Sequence, residues 1–238
     1  MTNEFGAIEY GKHLIDFSVI RRERRTLEIA VEPDTSVIVA APLDAAKADI
    51  EAKVKKRAGW IRKQQAFFAQ FLPRTPVRKY ESGETHLYLG RQYRLKVRLA
   101  EHASVKLVRG FILVASPSPD QTEMTRSLVE EWYRKRAKIK FAERLKICLE
   151  RFPEKAAFQP KEIIVRKLKQ RWGSMSPSRR LLLNRRLVEA PTDAIDYVIT
   201  HELCHIAHPN HGAAFFELFG SVMSDWPKRK RRLERVMA

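Results

Sequence analysis

His201-Glu202-Leu203-Cys204-His205-Ile206-Ala207-His208-Pro209-Asn210-His211 holds four of the chain's seven histidines. Its first five residues form an H-E-x-x-H motif. On an α-helix, positions i and i+4 share a face, so His201 and His205 point the same way. Two imidazoles so placed can share one Zn²⁺ at nitrogen–metal distances of roughly 2.0–2.1 Å. Glu202 is turned about 100° from His201. It flanks the metal without ligating it, where a carboxylate can take a proton from an activated water. A catalytic zinc takes three protein ligands and keeps one position open. On a continuous helix His208 would lie about 10.5 Å along the axis from His201, too far to share one ion. Pro209 disfavours helix at His208, and a turn through Pro209-Asn210 can bring His211 back. His211 is therefore the expected third ligand. His208 is expected behind the ligands or on the surface.

The helix carrying this motif has a readable start. Pro191-Thr192-Asp193 offers a cap, and Ile195, Val198, Ile199, Leu203 and Ile206 give an apolar stripe at helical spacing. Cys204 reads as a small buried hydrophobe.

The chain has 238 residues, enough for one large domain or two small ones. Apolar content of 44% and charged content of 31% argue for a folded protein over a disordered one. Only Cys148 and Cys204 occur, so no disulfide framework is implied, and a reducing, cytoplasmic setting is expected. The N-terminus lacks a basic region followed by an apolar core, so no signal peptide is expected. No apolar run approaches the ~20 residues that span a bilayer, so no membrane partner is expected. The net charge of +18 is large. It is compatible with nucleic acid, nucleotides, acidic proteins or anionic membrane surfaces as partners.

Outward from the motif, residues 13–20, 27–31 and 36–40 read as strands. Residues 44–71 read as a helix carrying Ile50, Val54, Ala58, Ile61 and Phe67. Residues 72–83 read as a linker or loop. Residues 85–89, 93–99, 105–108 and 111–115 read as an antiparallel set, punctuated by Gly90 and Gly110. A long helix is expected over about 121–151, and residues 163–168 and 181–184 form a strand pair before the motif helix. A helix at about 212–223 and a short basic tail end the chain. No internal repeat is evident. The expected architecture is α+β. A β-rich half with one helix spans 1–118, and a metal-hydrolase lobe spans 119–238, the two built as one integrated unit.

Residues 161–186 carry nine Lys or Arg, one Glu and no Asp. Gln170-Arg171-Trp172-Gly173-Ser174 lies inside this stretch. A strand pair beside a zinc helix commonly forms one wall of the cleft, so Arg171, Trp172 and Ser174 are candidates for contacting substrate. An arginine there can bind a carboxylate or phosphate bidentately, while Trp172 can instead pack in the core. The clusters Arg21-Arg22-Glu23-Arg24-Arg25 and Lys228-Arg229-Lys230-Arg231-Arg232 could attract polyanions. Neither has the interleaved aromatics of a base-stacking platform.

Taken together, Arg171-Trp172-Gly173-Ser174, Leu183-Asn184, Val188 to Pro191, the motif with Asp196 to Thr200 before it, and Asn210-His211 with Phe215-Phe216 resemble the YgjP-like predicted metal-dependent hydrolases. That family is related to the SprT-like and WLM zinc peptidases. Arg21 and Arg25, Val37 to Pro42, Trp60-Ile61, and Gly83-Glu84 with Tyr88-Leu89-Gly90 extend the likeness over roughly residues 14–230. The resemblance implies a zincin-like fold, one zinc on His201, His205 and His211, and Glu202 as base. It also adds Asn184 to the substrate candidates. Members often carry Cys after the Trp-Gly-Ser element, where this chain has Met175, which argues against a fourth thiolate ligand. The histidine spacing equals that of metzincins, but His208 replaces their glycine and Met223 forms no obvious Met-turn.

Three functions compete on these residues. The first is a zinc metallopeptidase acting on peptides or proteins. The second uses the same centre on phosphoanhydrides or nucleotides, motivated by the basic stretch at 161–186. The third is a nucleic-acid-associated protein with an auxiliary metal site. Structural zinc normally has four closed ligands, often thiolates, which ranks the third reading last.

Overall fold

Alternating apolar residues near the N-terminus build strands whose inner faces close on a helix. In the computed structural model, which describes residues 4–32, 34–69, 78–168 and 171–237, the chain divides into two units between residues 76 and 77. The first holds β1 (Glu4–Tyr10), β2 (His13–Arg21), β3 (Glu28–Val31), β4 (Val37–Ala41) and α1 (Lys47–Ala69). Phe17 and Val19 of β2 and Val37 and Val39 of β4 bury against Ile50, Val54, Ala58 and Ile61 of α1. That spacing is one face of a helix. Strand β1 escapes sequence reading because its pattern is weakly apolar. It forms by pairing along β2, from Glu4 opposite Val19 to Tyr10 opposite His13. The expected linker at 72–76 lies outside the described residues.

The second unit holds β5 (Thr85–Tyr88), β6 (Arg91–Leu99), β7 (Ser104–Val108), β8 (Phe111–Ser116), α2 (Thr122–Leu149), α3 (Lys155–Phe158), β9 (Glu162–Arg166), β10 (Gly173–Met175) and β11 (Arg180–Asn184). A 3-10 turn (Arg185–Glu189), α4 (Thr192–Cys204), α5 (Ala213–Val222) and α6 (Trp226–Met237) follow. The sheet β5-β6-β8-β7 is not wholly antiparallel, because its central pair, β6 and β8, runs parallel. Strand β8 buries Ile112, Val114 and Ala115 and takes the middle, while the more exposed β7 takes the edge.

The first unit solves the same problem the same way. Its order is β1-β2-β4-β3, with β2 and β4 parallel. Each sheet is followed by a long helix, and Val37-Ile38-Val39-Ala40-Ala41-Pro42 echoes Ile112-Leu113-Val114-Ala115-Ser116-Pro117. A structural repeat is thus present that the sequence did not make evident.

One core joins β5 to β8 with everything after them. Tyr88, Leu95, Ile112 and Val114 share it with Val129, Tyr133, Phe141 and Leu145 of α2 and with Ile195, Ile199 and Leu203 of α4. The boundary expected at 118 therefore falls inside this core, and the break in contacts lies at 76. The α+β class is as expected, with β-rich sheets first and helices after.

The entry to α4 is pinned from β5 and β6. Leu89 and Gly90 donate to the carbonyls of Val188 and Glu189, both at 2.9 Å. Gly90 has φ 77, and a Cβ there would lie 2.9 Å from Pro191 Cα, so only glycine fits the contact. Buried ion pairs hold the same corner: Arg78 to Glu189 at 2.6 Å and Arg185 to Glu130 at 2.8 Å.

The expected strand pair gains a third member. The order is β10-β11-β9, with β11 parallel to β9 and antiparallel to β10. The expected basic tail is a helix. In α6, Leu233 and Met237 are buried, and Trp226 stacks on Phe219 at 5.3 Å. No helix among the described residues is long and apolar enough to cross a membrane.

Candidate metal centre

Helix α4 begins after Pro191, with no side-chain cap. The Asp193 carboxylate, expected near the cap, instead accepts from Arg232 at 2.8 Å. The helix is held from beneath at Asp196, which is buried. Arg144 of α2 donates to both its oxygens, at 2.7 and 2.6 Å. Arg151 and Arg229 approach the same carboxylate at 3.5 and 3.6 Å. Three guanidiniums on one carboxylate lock α4 against α2 and α6.

The helix ends at Cys204, with His205 as C-cap. Ile206 donates to the Leu203 carbonyl, and Ala207 and His208 both donate to that of Cys204. The helix therefore stops several residues before Pro209, on its own tightened last turn. The turn returns the chain as expected. His211 Nε2 lies 3.0 Å from His201 Nε2. The ligand atoms of His201, His205 and His211 all fall within 4.8 Å of one another. The three ring centroids are 4.6 to 4.9 Å apart.

Phe215 of α5 forms the packing surface behind all three rings. Its centroid lies 5.1 Å from that of His201 and 4.7 Å from those of His205 and His211. His205 Nδ1 donates to the carbonyl of His208 at 3.0 Å, which leaves its Nε2 free for the centre. His208 thus orients the His205 ring through its backbone.

These donors fit a divalent transition metal. Burial, reinforced by the neighbouring His205 and His211, pushes the His201 imidazole down to about 3. At neutral pH it is the uncharged form that ligates. Two Nε2 atoms aimed at each other at 3.0 Å sit near the ~3.4 Å expected between tetrahedral ligands 2.1 Å from one zinc.

Glu202, next to His201 on α4, is buried and lines the same cleft as the histidines. Burial pushes its carboxyl up to about 7, against the lowering effects of the Met175 backbone N–H and the charge of Arg171. Gly173 packs directly on it: a Cβ there would lie 3.0 Å from Glu202 Cγ and 3.1 Å from its Oε1. Strand β10 therefore holds the carboxylate by one N–H and by one missing methyl group.

A cleft of about 620 Å³ opens between β10 and the histidines. Ser174 lines it, as do Gly173, Met175 and Arg179. The other expected substrate contacts are placed elsewhere. Trp172 packs against the core. The Asn184 amide donates to the carbonyls of Leu168 and Arg171, both at 3.0 Å, and its oxygen accepts from Arg186 N–H. It braces the strand entering the cleft. Arg171 is exposed and reaches the site through its charge on Glu202. Sequence reading did not single out Arg179, and it named Gly173 only within the Arg-Trp-Gly-Ser element and Met175 only as a departure from the family pattern. Their roles come from strand pairing, which left no periodic signal over so short a strand.

A family model described as YgjP-like, metallopeptidase domain, matches residues 25–236. The chain belongs to this family and is a metal-dependent hydrolase by that membership. A search of curated proteins gives no match.

Proposed function

We propose that this YgjP-like protein is a zinc-dependent peptidase, with one Zn²⁺ held by His201, His205 and His211 and with Glu202 as general base. The observation that carries this is the pairing of a three-histidine cluster with a buried carboxyl whose pKa is near 7. When bound, zinc supplies Lewis acidity that polarises a carbonyl and acidifies water. Glu202 is poised to accept a proton at neutral pH and return it to the departing amine. The Met175 N–H and the flat face of Gly173 hold its carboxylate in place.

Strand β10 also offers a place for a peptide main chain. Its Trp172 carbonyl and Ser176 N–H are used by β11. By alternation, the groups of Gly173 and Met175 face away from β11; the Met175 N–H is taken by Glu202, which leaves the Gly173 N–H and the two carbonyls. An extended substrate can lie along that edge.

Of the described residues lining the cleft, Arg179 is the one permanent cation. Phosphoanhydride chemistry needs several charges around the transferred group, so the cleft favours polypeptide. The basic clusters are partly engaged within the protein: Arg21 with Glu4, Arg24 with Glu28, Arg229 with Asp225 and Arg232 with Asp193. That weakens the nucleic-acid reading. The two buried free cysteines suit a reducing cytoplasmic setting.

The test is a substrate screen of peptides and nucleoside triphosphates with wild type and Glu202→Gln. Peptide cleavage lost in the variant at unchanged zinc content supports the proposal. Phosphate release without peptide cleavage overturns it, and full activity in zinc-loaded Glu202→Gln removes Glu202 from the reaction.

A further inference from the structure

Arg179 has no part in the chemistry at the metal centre. It lines the cleft, where the only carboxylate among the described lining residues is Glu202, already committed to proton transfer. Its head group is anchored: Nη2 donates to the Ala157 carbonyl at 2.5 Å. Its Nε and Nη1 have no partner among the described residues, and each can donate to an acceptor in the cleft.

The backbone at Arg179 is also informative. It closes the turn between β10 and β11, donating to the Ser176 carbonyl at 2.9 Å. Its φ is 61, the left-handed region where glycine or asparagine fits with least strain. A long cationic side chain is kept where glycine would fold more easily. The fold thus holds a guanidinium at this point of the cleft at a cost to the turn.

Charge in the surrounding unit agrees. Residues 77–238 carry 33 Lys and Arg against 18 Asp and Glu, while residues 1–76 carry 13 against 10. Nearly all of the net positive charge belongs to the unit that contains the cleft. Such a field concentrates anionic chains before any contact forms.

We propose that the cleft selects acidic polypeptide, with Arg179 receiving an Asp or Glu carboxylate of the substrate close to the scissile bond. This rests on the peptidase reading above. The ligand is a carboxylate side chain on an extended main chain, which matches one guanidinium beside the outer edge of β10.

The experiment measures binding of fluorescent peptides to zinc-loaded Glu202→Gln, so that no turnover is needed. Peptides of one length carry Glu, Gln or Lys at each position in turn. A Glu peptide should bind at least about tenfold tighter than its Gln counterpart at one position, as for a charge-assisted contact. Adding Arg179→Gly should bring the two within about twofold. That variant relieves the backbone strain, so lost folding does not explain lost binding. Adding Arg179→Glu should shift the preference to Lys.

Equal binding of Glu and Gln peptides at all positions, or a preference that survives Arg179→Gly, overturns the proposal. Cleavage by wild type with no charge preference sinks this inference and leaves the peptidase reading standing. Acid-selective binding with no cleavage of any peptide by wild type does the reverse.

Discussion

Gly173 and Glu202 are in direct contact across the cleft wall: a Cβ added to Gly173 would stand 3.0 Å from Glu202 Cγ and 3.1 Å from its Oε1. The strand residue therefore sets where the carboxylate lies. Gly173→Ala should displace that carboxylate by a few tenths of an ångström with the fold intact. Misplacement on the ångström scale costs about 10²-fold in rate, so a drop in kcat of about tenfold is expected. Steady-state kinetics beside a thermal melt checks this. An unchanged kcat would show that Glu202 tolerates the shift.

His211 and His208 are distinguishable by metal content. His211→Ala removes a converging nitrogen and should leave well under one equivalent of zinc after dialysis. His208→Ala keeps the carbonyl that accepts from His205 Nδ1 and should keep a full equivalent. Elemental analysis of both variants decides it, and the opposite pattern would reassign the third ligand.

Asp196 is the shared counterion of Arg144, Arg151 and Arg229. Asp196→Asn should leave half-buried guanidiniums without it. Breaking such a pair costs roughly 2–4 kcal/mol when part of the charge still reaches water. Denaturant unfolding should show the loss, with a lowered midpoint. A shift below about 0.5 kcal/mol would mean solvent replaces Asp196 readily.

Acid should weaken the metal-free Glu202→Gln protein, from which the opposing raised carboxyl has been removed. Burial, aided by Arg78, holds His86 below its ordinary value, and burial holds His201 down to about 3. Both are neutral when folded and take up a proton near pH 6.5 when unfolded. Their contribution is complete above pH 6.5 and declines as the unfolded chain protonates below it. The slope approaches about 1.4 kcal/mol per pH unit for His201, and His86 acts in the same direction. Urea midpoints of Glu202→Gln at pH 7, 6 and 5 with chelator present should fall in that order, because that variant lacks the raised carboxyl whose protonation on folding opposes the trend. His86→Gln should flatten the trend, and a midpoint independent of pH would refute it.

Much of the second unit is written locally. The H-E-x-x-H spacing, the apolar stripe from Ile195 to Leu203 and the turn at Pro209-Asn210 are short-range features, and each predicts its own piece of the centre. Strand β10 is three residues long, too short for a period-2 signal. The tail that becomes α6 reads as charge because only Leu233 and Met237 of its inner side are buried. The break at 76 rather than 118 depends on which faces meet in the core, and strand composition does not encode that.

By itself, then, the sequence determined which residues can ligate a metal, that His201 and His205 share a helix face, and that a carboxylate stands beside them. Those follow from covalent spacing and helical geometry. Tertiary structure alone decided that His211 meets His201 at 3.0 Å, that Phe215 backs all three rings, and that Gly173 and Met175 hold Glu202. It also decided that Arg179 stands in the cleft. Each of these joins elements distant in the chain, and burial, which raises the Glu202 carboxyl to about 7, exists only once they pack.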